Sequence, residues 1–85
     1  MGAFHVQVRV MPRATLLDPQ GQAVEHALGA LGFDGVTAVR VGRAVTLTVE
    51  APTAAAAEAQ ATDMCRRLLA NPVTEDFEVL VGVTP

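Results

Sequence analysis

Apolar and polar residues alternate from Phe4 to Met11. Phe4, Val6, Val8 and Val10 fall on one side, and His5, Gln7 and Arg9 on the other. A period of two is the mark of a half-buried strand. Pro12 ends it, because proline has no N–H to give to a ladder. The spacing then changes to three and four, with Val24, Ala27, Leu28 and Leu31 on one helical face. Asp18 supplies an N-cap for that helix, Pro19 suits its first position, and Gly32 supplies its stop.

The run "VTAVRVGRAVTLTVE" holds two valine- and threonine-rich segments around Gly42-Arg43. It reads as a β-hairpin. A two-residue turn with glycine first places Val41 opposite Ala44 and Val39 opposite Thr46. A longer loop would instead put Val39 and Val41 with Val45, Leu47 and Val49; the short turn is preferred. Pro52 closes the second segment. Thr53 caps a second helix whose buried face is Ala57, Ala61, Met64, Cys65, Leu68 and Leu69. Asn71-Pro72 ends it, since the residue before proline disfavours the helical region. The last strand, "FEVLVGV", puts Phe77, Val79, Val81 and Val83 on one face.

The predicted order is strand, helix, strand, strand, helix, strand. That is an α+β, ferredoxin-like β-α-β-β-α-β pattern, with a four-stranded antiparallel sheet and two helices on one face. No linker or low-complexity tract divides residues 1–85, so one domain is expected. The open sheet face would carry His5, Gln7, Arg9, Leu80 and, under the short turn, Val39 and Val41. This mixture is drier than a free surface needs, and such patches mark interfaces. Self-association through this face or an edge strand is the expectation.

Composition narrows the function classes. The net charge is −3 and aromatics are 4% of residues, which argues against a nucleic-acid surface. The single cysteine, Cys65, excludes a disulfide framework and a cysteine-based zinc site. No window reaches the ~18 apolar residues of a membrane span. The first residues lack a signal peptide's basic segment and apolar core. No membrane partner and a cytoplasmic location are therefore expected.

Candidate chemistry is sparse. His5 and His26 have no third ligand at metal spacing. Cys65 lies among Met64, Leu68 and Leu69 and reads as a small buried hydrophobe. Glu75-Asp76 is the one adjacent acidic pair, best read as a solvated turn before a strand. Nothing assembles a nucleophile, a base and an orienting group. The residues describe a small, oligomeric, non-catalytic domain.

Three segments go further. They are "LLDPQGQAVEHALGALGF" (Leu16–Phe33), "VRVGRAVTLTV" (Val39–Val49) and "MCRRLLANPVTEDFEV" (Met64–Val79). Together they resemble the PurS family, the small subunit of bacterial phosphoribosylformylglycinamidine synthase, over almost the whole chain. Asp18, Pro19, Gln20 and Gly21 match the first motif. Gly42 and Arg43 match a Gly-Lys turn, with a fork-shaped donor in place of a point charge. Leu69, Asn71, Pro72, Glu75 and Asp76 match the second motif. Thr74 stands where the family often has isoleucine, and Phe77 where it often has tyrosine.

The resemblance implies a three-part complex of purine synthesis. A glutaminase subunit releases ammonia, and a large synthetase subunit uses ATP and magnesium to join it to formylglycinamide ribonucleotide. The small subunit binds no cofactor, forms a homodimer or tetramer, bridges the other two and assists ammonia transfer. Asp18, Pro19, Gln20, Gly21, Arg43, Asn71, Pro72, Glu75 and Asp76 are then candidates for partner contacts. His5, Gln7, Arg9, Val39, Val41 and Leu80 are candidates for self-association. Gly21 costs stability in a first helical turn, so its expected use is close approach by a partner. The fold also leaves open a dimeric ferredoxin-like module that senses small metabolites. RNA binding on the sheet face is a third reading, disfavoured by charge and missing aromatics.

Overall fold

The alternation that begins at Phe4 builds the centre of the sheet. In this computed structural model, which describes residues 1–82, β1 (Gly2–Pro12) lies between β2 (Arg43–Ala51) and β3 (Glu75–Val81). Both pairings are antiparallel, with Val8 opposite Val45 on one side and Val79 on the other. Directly opposed residues share a face. One face therefore gathers Val6, Val8, Val10, Val45, Leu47, Val49, Phe77, Val79 and Val81. Val8 and Val10 are fully buried there. Val83 lies outside the described residues.

Helix α2 (Ala54–Met64) covers that face, and a π-helical turn, Cys65–Leu69, continues it. Thr53 caps α2 through its hydroxyl oxygen, which accepts from the Ala56 N–H at 3.1 Å. Ala57, Ala61 and Cys65 are 0% exposed, and the alanines let the helix axis lie close to the strands. The expected Leu68 contact is not made: Leu68 is 82% exposed. In the widened turn the Ala70 N–H reaches the Cys65 carbonyl, five residues back. Three- and four-residue spacing loses its phase there.

Helix α1 (Pro19–Ala30) starts and stops as its sequence predicts. The Asp18 carboxylate accepts from the Gly21 N–H at 3.0 Å. At the other end Gly32 takes φ 98°. There the N–H groups of Phe33 and Gly32 close on the Leu28 and Gly29 carbonyls, a Schellman cap. Its packing departs from expectation. Val24 and Leu31 are 39% and 74% exposed, so the predicted buried stripe is largely uncovered. α1 projects from the sheet instead of lying on it beside α2. The radius of gyration is 16.1 Å, against about 12 Å for a compact domain of this length.

The central hairpin is also absent. Among the described residues the sheet has three strands, and residues 36–42 run without strand pairing. Val39 and Val41 are therefore not on the open sheet face. Their N–H groups go elsewhere, Val39 to Glu25 Oε1 at 3.1 Å and Val41 to Asp18 Oδ2 at 2.8 Å. Gly42 is not a turn residue but a point of close approach, where a Cβ would run into the Val10 carbonyl and the Met11 sulfur. The chain thus passes straight from the connector into β2. Gly21 has the same use: a Cβ there would strike the Val39 carbonyl, so the backbone that comes close is the chain's own.

Two outcomes follow. Ala61→Leu forces a larger side chain between α2 and the sheet; denaturant unfolding should show a loss of about 1–3 kcal/mol. Asp18 has its pKa lowered, first by the Gly21 N–H, then by the Val41 N–H and the Arg40 charge. A carboxylate depressed on folding stabilises above its unfolded value, 3.8, and that contribution fades as pH falls through the folded value. Asp18→Asn should therefore be less stable than the parent at pH 7, with the gap closing below about pH 4 in thermal melts.

Candidate functional site

The two motif regions that lie far apart in sequence meet across one cleft. It has a volume of about 930 Å³, and its walls include Asp18, Pro19 and Gln20 on one side and Gly42, Arg43 and Glu75 on the other. The first wall is set by the helix cap. Asp18 is buried, while Pro19 and Gln20 are exposed at the start of α1. Gly21 lies behind them, buried, and does not face the opening. Arg40 ties this wall to the sheet. Its guanidinium donates to the carbonyls of Arg13 at 2.6 Å, Leu16 at 3.1 Å and Pro12 at 3.2 Å. It also lies 3.9 Å from Asp18 Oδ2.

The second wall is the start of β2 and of β3, joined by one ion pair that also holds the loop before β3. Arg43 grips Glu75 with two parallel hydrogen bonds, Nη1 to Oε2 at 2.6 Å and Nη2 to Oε1 at 2.9 Å. Two-point pairs of this kind fix orientation as well as charge. Arg43 Nη2 also donates to the Leu69 carbonyl at 2.5 Å. Glu75 Oε1 accepts from the Asn71 N–H at 2.7 Å. Asn71 Oδ1 accepts from the Val73 N–H at 2.9 Å, which closes the turn around Pro72. Arg13 donates to the Pro72 carbonyl at 2.7 Å. Its contact with Asp76 is 3.6 Å and well exposed, which contributes little.

Arg43, first by hydrogen bond, and the Asn71 N–H hold the Glu75 carboxyl below its usual range. A carboxylate so engaged is a poor general base. Burial pushes the Cys65 thiol up, which fits a core residue and not a nucleophile. Among the described residues no three histidines, cysteines or acids are placed to hold a metal ion. The charged groups of the cleft spend their bonds on each other and on the backbone. What remains toward solvent is an apolar rim, including Leu16 and Leu17, of which Leu17 is 82% exposed, and the uncharged polar side chains of Thr15, Gln20 and Thr74. That arrangement suits docking.

The structure brings together Asp18, Pro19, Gln20, Arg43 and Glu75, with Asn71 and Pro72 on the adjoining loop and Asp76 next to Glu75 at the start of β3. His5, Gln7, Arg9 and Leu80 share the sheet face opposite α2, where Gln7 sits against both Thr46 and Leu80. Val39 and Val41 do not join them. Sequence reasoning missed Arg40, Arg13 and Glu25. The one available signal was Arg40 standing alone between two valines, and a strand reading absorbs it as a solvent-facing residue.

The profile of the family PurS, phosphoribosylformylglycinamidine (FGAM) synthase, matches residues 5–82. The chain is 45% identical over 75 residues to the phosphoribosylformylglycinamidine synthase subunit PurS of Synechocystis sp., covering 88% of this chain and 75% of that one. It is 39% identical over 74 residues to the subunit of the same name from Bacillus subtilis, covering 87% of each. A chain in the structure of PurLQS from Thermotoga maritima superposes with a TM-score of 0.88 at 32% identity, covering 95% of this chain and 99% of that one. A family match that spans nearly every residue and relatives this similar over most of their own length settle the assignment: the chain belongs to the PurS family.

Proposed function

We propose that this chain is the small, non-catalytic subunit of a phosphoribosylformylglycinamidine synthase complex in purine biosynthesis. It bridges the glutaminase subunit and the large synthetase subunit. The observation that carries this reading is the near-complete superposition on a chain of the PurLQS structure. The cleft is its docking site, with Asp18, Pro19 and Gln20 on one wall and Arg43 and Glu75 on the other. Asn71, Pro72 and Asp76 form the rim, and Gly21 acts from behind by letting the connector close on α1. ATP and magnesium belong to the large subunit, and this chain binds no cofactor. Its place is the cytoplasm.

In this reading the small subunit forms homo-oligomers and completes a ferredoxin-like, four-stranded sheet within them. Its contribution to ammonia transfer is geometric. Ammonia released to water near neutral pH is mostly ammonium and no longer a nucleophile, so a closed assembly that excludes water preserves it. The small-metabolite reading has less behind it. The cleft is roomy, but its carboxylates and its guanidinium are already paired, which leaves few charged groups for a ligand.

Reconstitution tests this. The glutaminase and synthetase subunits should need this chain for glutamine-dependent turnover, while turnover supplied with ammonium salt should depend on it far less. Full glutamine-dependent turnover without it would overturn the reading. Arg43→Gln should weaken assembly about tenfold, equal to about 1.4 kcal/mol, in a binding titration with the two partners. Glu75→Gln removes the charge and sets an NH2 donor against either the Arg43 guanidinium or the Asn71 N–H, so it should weaken assembly by a similar factor in the same titration.

A further inference from the structure

The turn that ends α2 puts outside a leucine that a regular helix would bury. Ala57, Ala61 and Cys65 come at intervals of four and are sealed against the sheet. One further α-helical step, of three or four residues, would bring Leu68 and Leu69 onto the same stripe. The chain widens instead. The Ala70 N–H reaches back to the Cys65 carbonyl at 3.0 Å, and the next buried residue is Ala70. Leu69 is left half-buried and Leu68 is turned out to solvent. Single π-helical turns of this kind recur at functional sites. Val73, in the turn that follows, is also mostly exposed. The same segment carries charge that the fold does not use. All six cationic side chains are arginines. Arg40, Arg43 and Arg13 are bound to carbonyls and face acids, and Arg9 lies opposite Glu78 in the sheet. Arg67 reaches only Asp63, one turn back on its own helix, with both side chains mostly exposed. Such a pair is weak in water. Arg66 makes no hydrogen bond or ion pair among the described residues.

We propose that Arg66, Leu68 and Val73 form a docking surface for an apolar pocket, bordered by carboxylates, on another subunit of the complex. Leu68 is the anchor, Val73 adds apolar area beside it, and Arg66 and Arg67 meet the acidic border. The proposal rests on the bridging role above and gives the partner's contact its chemistry.

Charge, continuity and rigidity choose this occupant. The chain as a whole has a net charge of −3, so two adjacent guanidiniums beside an outward leucine are a local exception. Guanidiniums left free in this way are matched by carboxylates. The segment is continuous with the cleft. Arg43 holds the Leu69 carbonyl, and Thr74, next to Val73, lines the cleft wall. Leu68 and Val73 themselves stand outside that wall, so a partner seated in the cleft meets them as a separate contact. The surface is also held in place. The N–H groups of Thr74 and Glu75 close on the Asn71 carbonyl at 3.3 and 2.9 Å, and Asn71 is tied to Glu75 in return. A surface already ordered loses little freedom on binding. A second copy of the chain fits it poorly. Two-fold pairing of this surface with itself would set Arg66 and Arg67 near the same arginines of the other copy, and like charges so placed oppose association.

Two experiments test this, both with the glutaminase and synthetase subunits, ATP, magnesium and glutamine present. Leu68→p-benzoylphenylalanine, irradiated in the assembled complex, should become attached to one of those two subunits, read by mass spectrometry. Attachment only to a second copy of this chain, or to nothing, overturns the proposal. The second experiment is a binding titration at several salt concentrations. Arg66→Glu breaks no bond within the chain and should weaken assembly about tenfold at low salt. That gap should close as salt rises, because salt screens exposed charges. Leu68→Ser should weaken assembly by about the same factor at every salt concentration, since its contact is apolar. An Arg66→Glu chain that binds like the parent at low salt overturns the acidic border, and a Leu68→Ser chain that binds like the parent overturns the anchor. If either variant loses its fold by circular dichroism, the cross-link still decides. A parent chain that binds neither subunit ends the bridging role itself. A parent that binds, alongside variants that bind equally well, ends only this surface.

Discussion

The carboxylate of Asp18 is the constraint on which the rest of the structure depends. It is buried, so it must be satisfied by the protein. One oxygen accepts from the first turn of α1 and the other from the connector at Val41. Arg40, close enough to be attracted, carries the connection on to the carbonyl of Pro12 at the end of β1 and to those of Arg13 and Leu16 in the turn after it. The end of β1, the start of α1 and the connector, which is remote from both in sequence, are thereby set at one angle. That angle aims α1 away from the sheet and delivers the chain to β2 at Arg43. Arg43 then meets Glu75, and the second wall of the cleft follows from the first.

Local signals in the sequence carried the local structure. A cap oxygen, a proline at the first helical position and a glycine beyond the end act within one turn, so Asp18, Pro19 and Gly32 could be read without tertiary knowledge. The same holds for Thr53 and for the alternation in β1. Gly42 could not be read this way. Glycine serves a tight turn through its torsional freedom and a close approach through its missing Cβ, and both leave the same letter. The structure uses the second. Residues 36–41 have strand-forming side chains, but two of their N–H groups are taken by carboxylates of Asp18 and Glu25, a bond pattern no periodicity records.

The apolar stripe on α1 teaches a related lesson. Its spacing says correctly that Val24, Leu28 and Leu31 belong against something apolar. It does not say that the surface belongs to the same copy of the chain. Periodicity reports that a face wants burial, and topology within one copy is an added assumption. The cleft was legible in another sense. Its residues were picked out by their motifs, and their convergence needed the fold. Glu75 read as half of a solvated acidic pair because its partner, Arg43, is remote in sequence.

The projecting arm, α1, and the cleft share one part, the cap of that helix. Pro19 and Gln20 line the cleft on residues whose position is set by the arm, whereas Glu75 belongs to the sheet. Any force on α1 therefore acts on the separation of the two walls. A partner docked in the cleft would favour the arm angle that fits it, and whatever sets that angle would favour or oppose docking, by linkage, with equal magnitude in both directions. Asp18 and Arg40 tie the cap of α1 to the connector and to the end of β1, so a change at one wall passes to the other through hydrogen bonds instead of being lost in a free hinge.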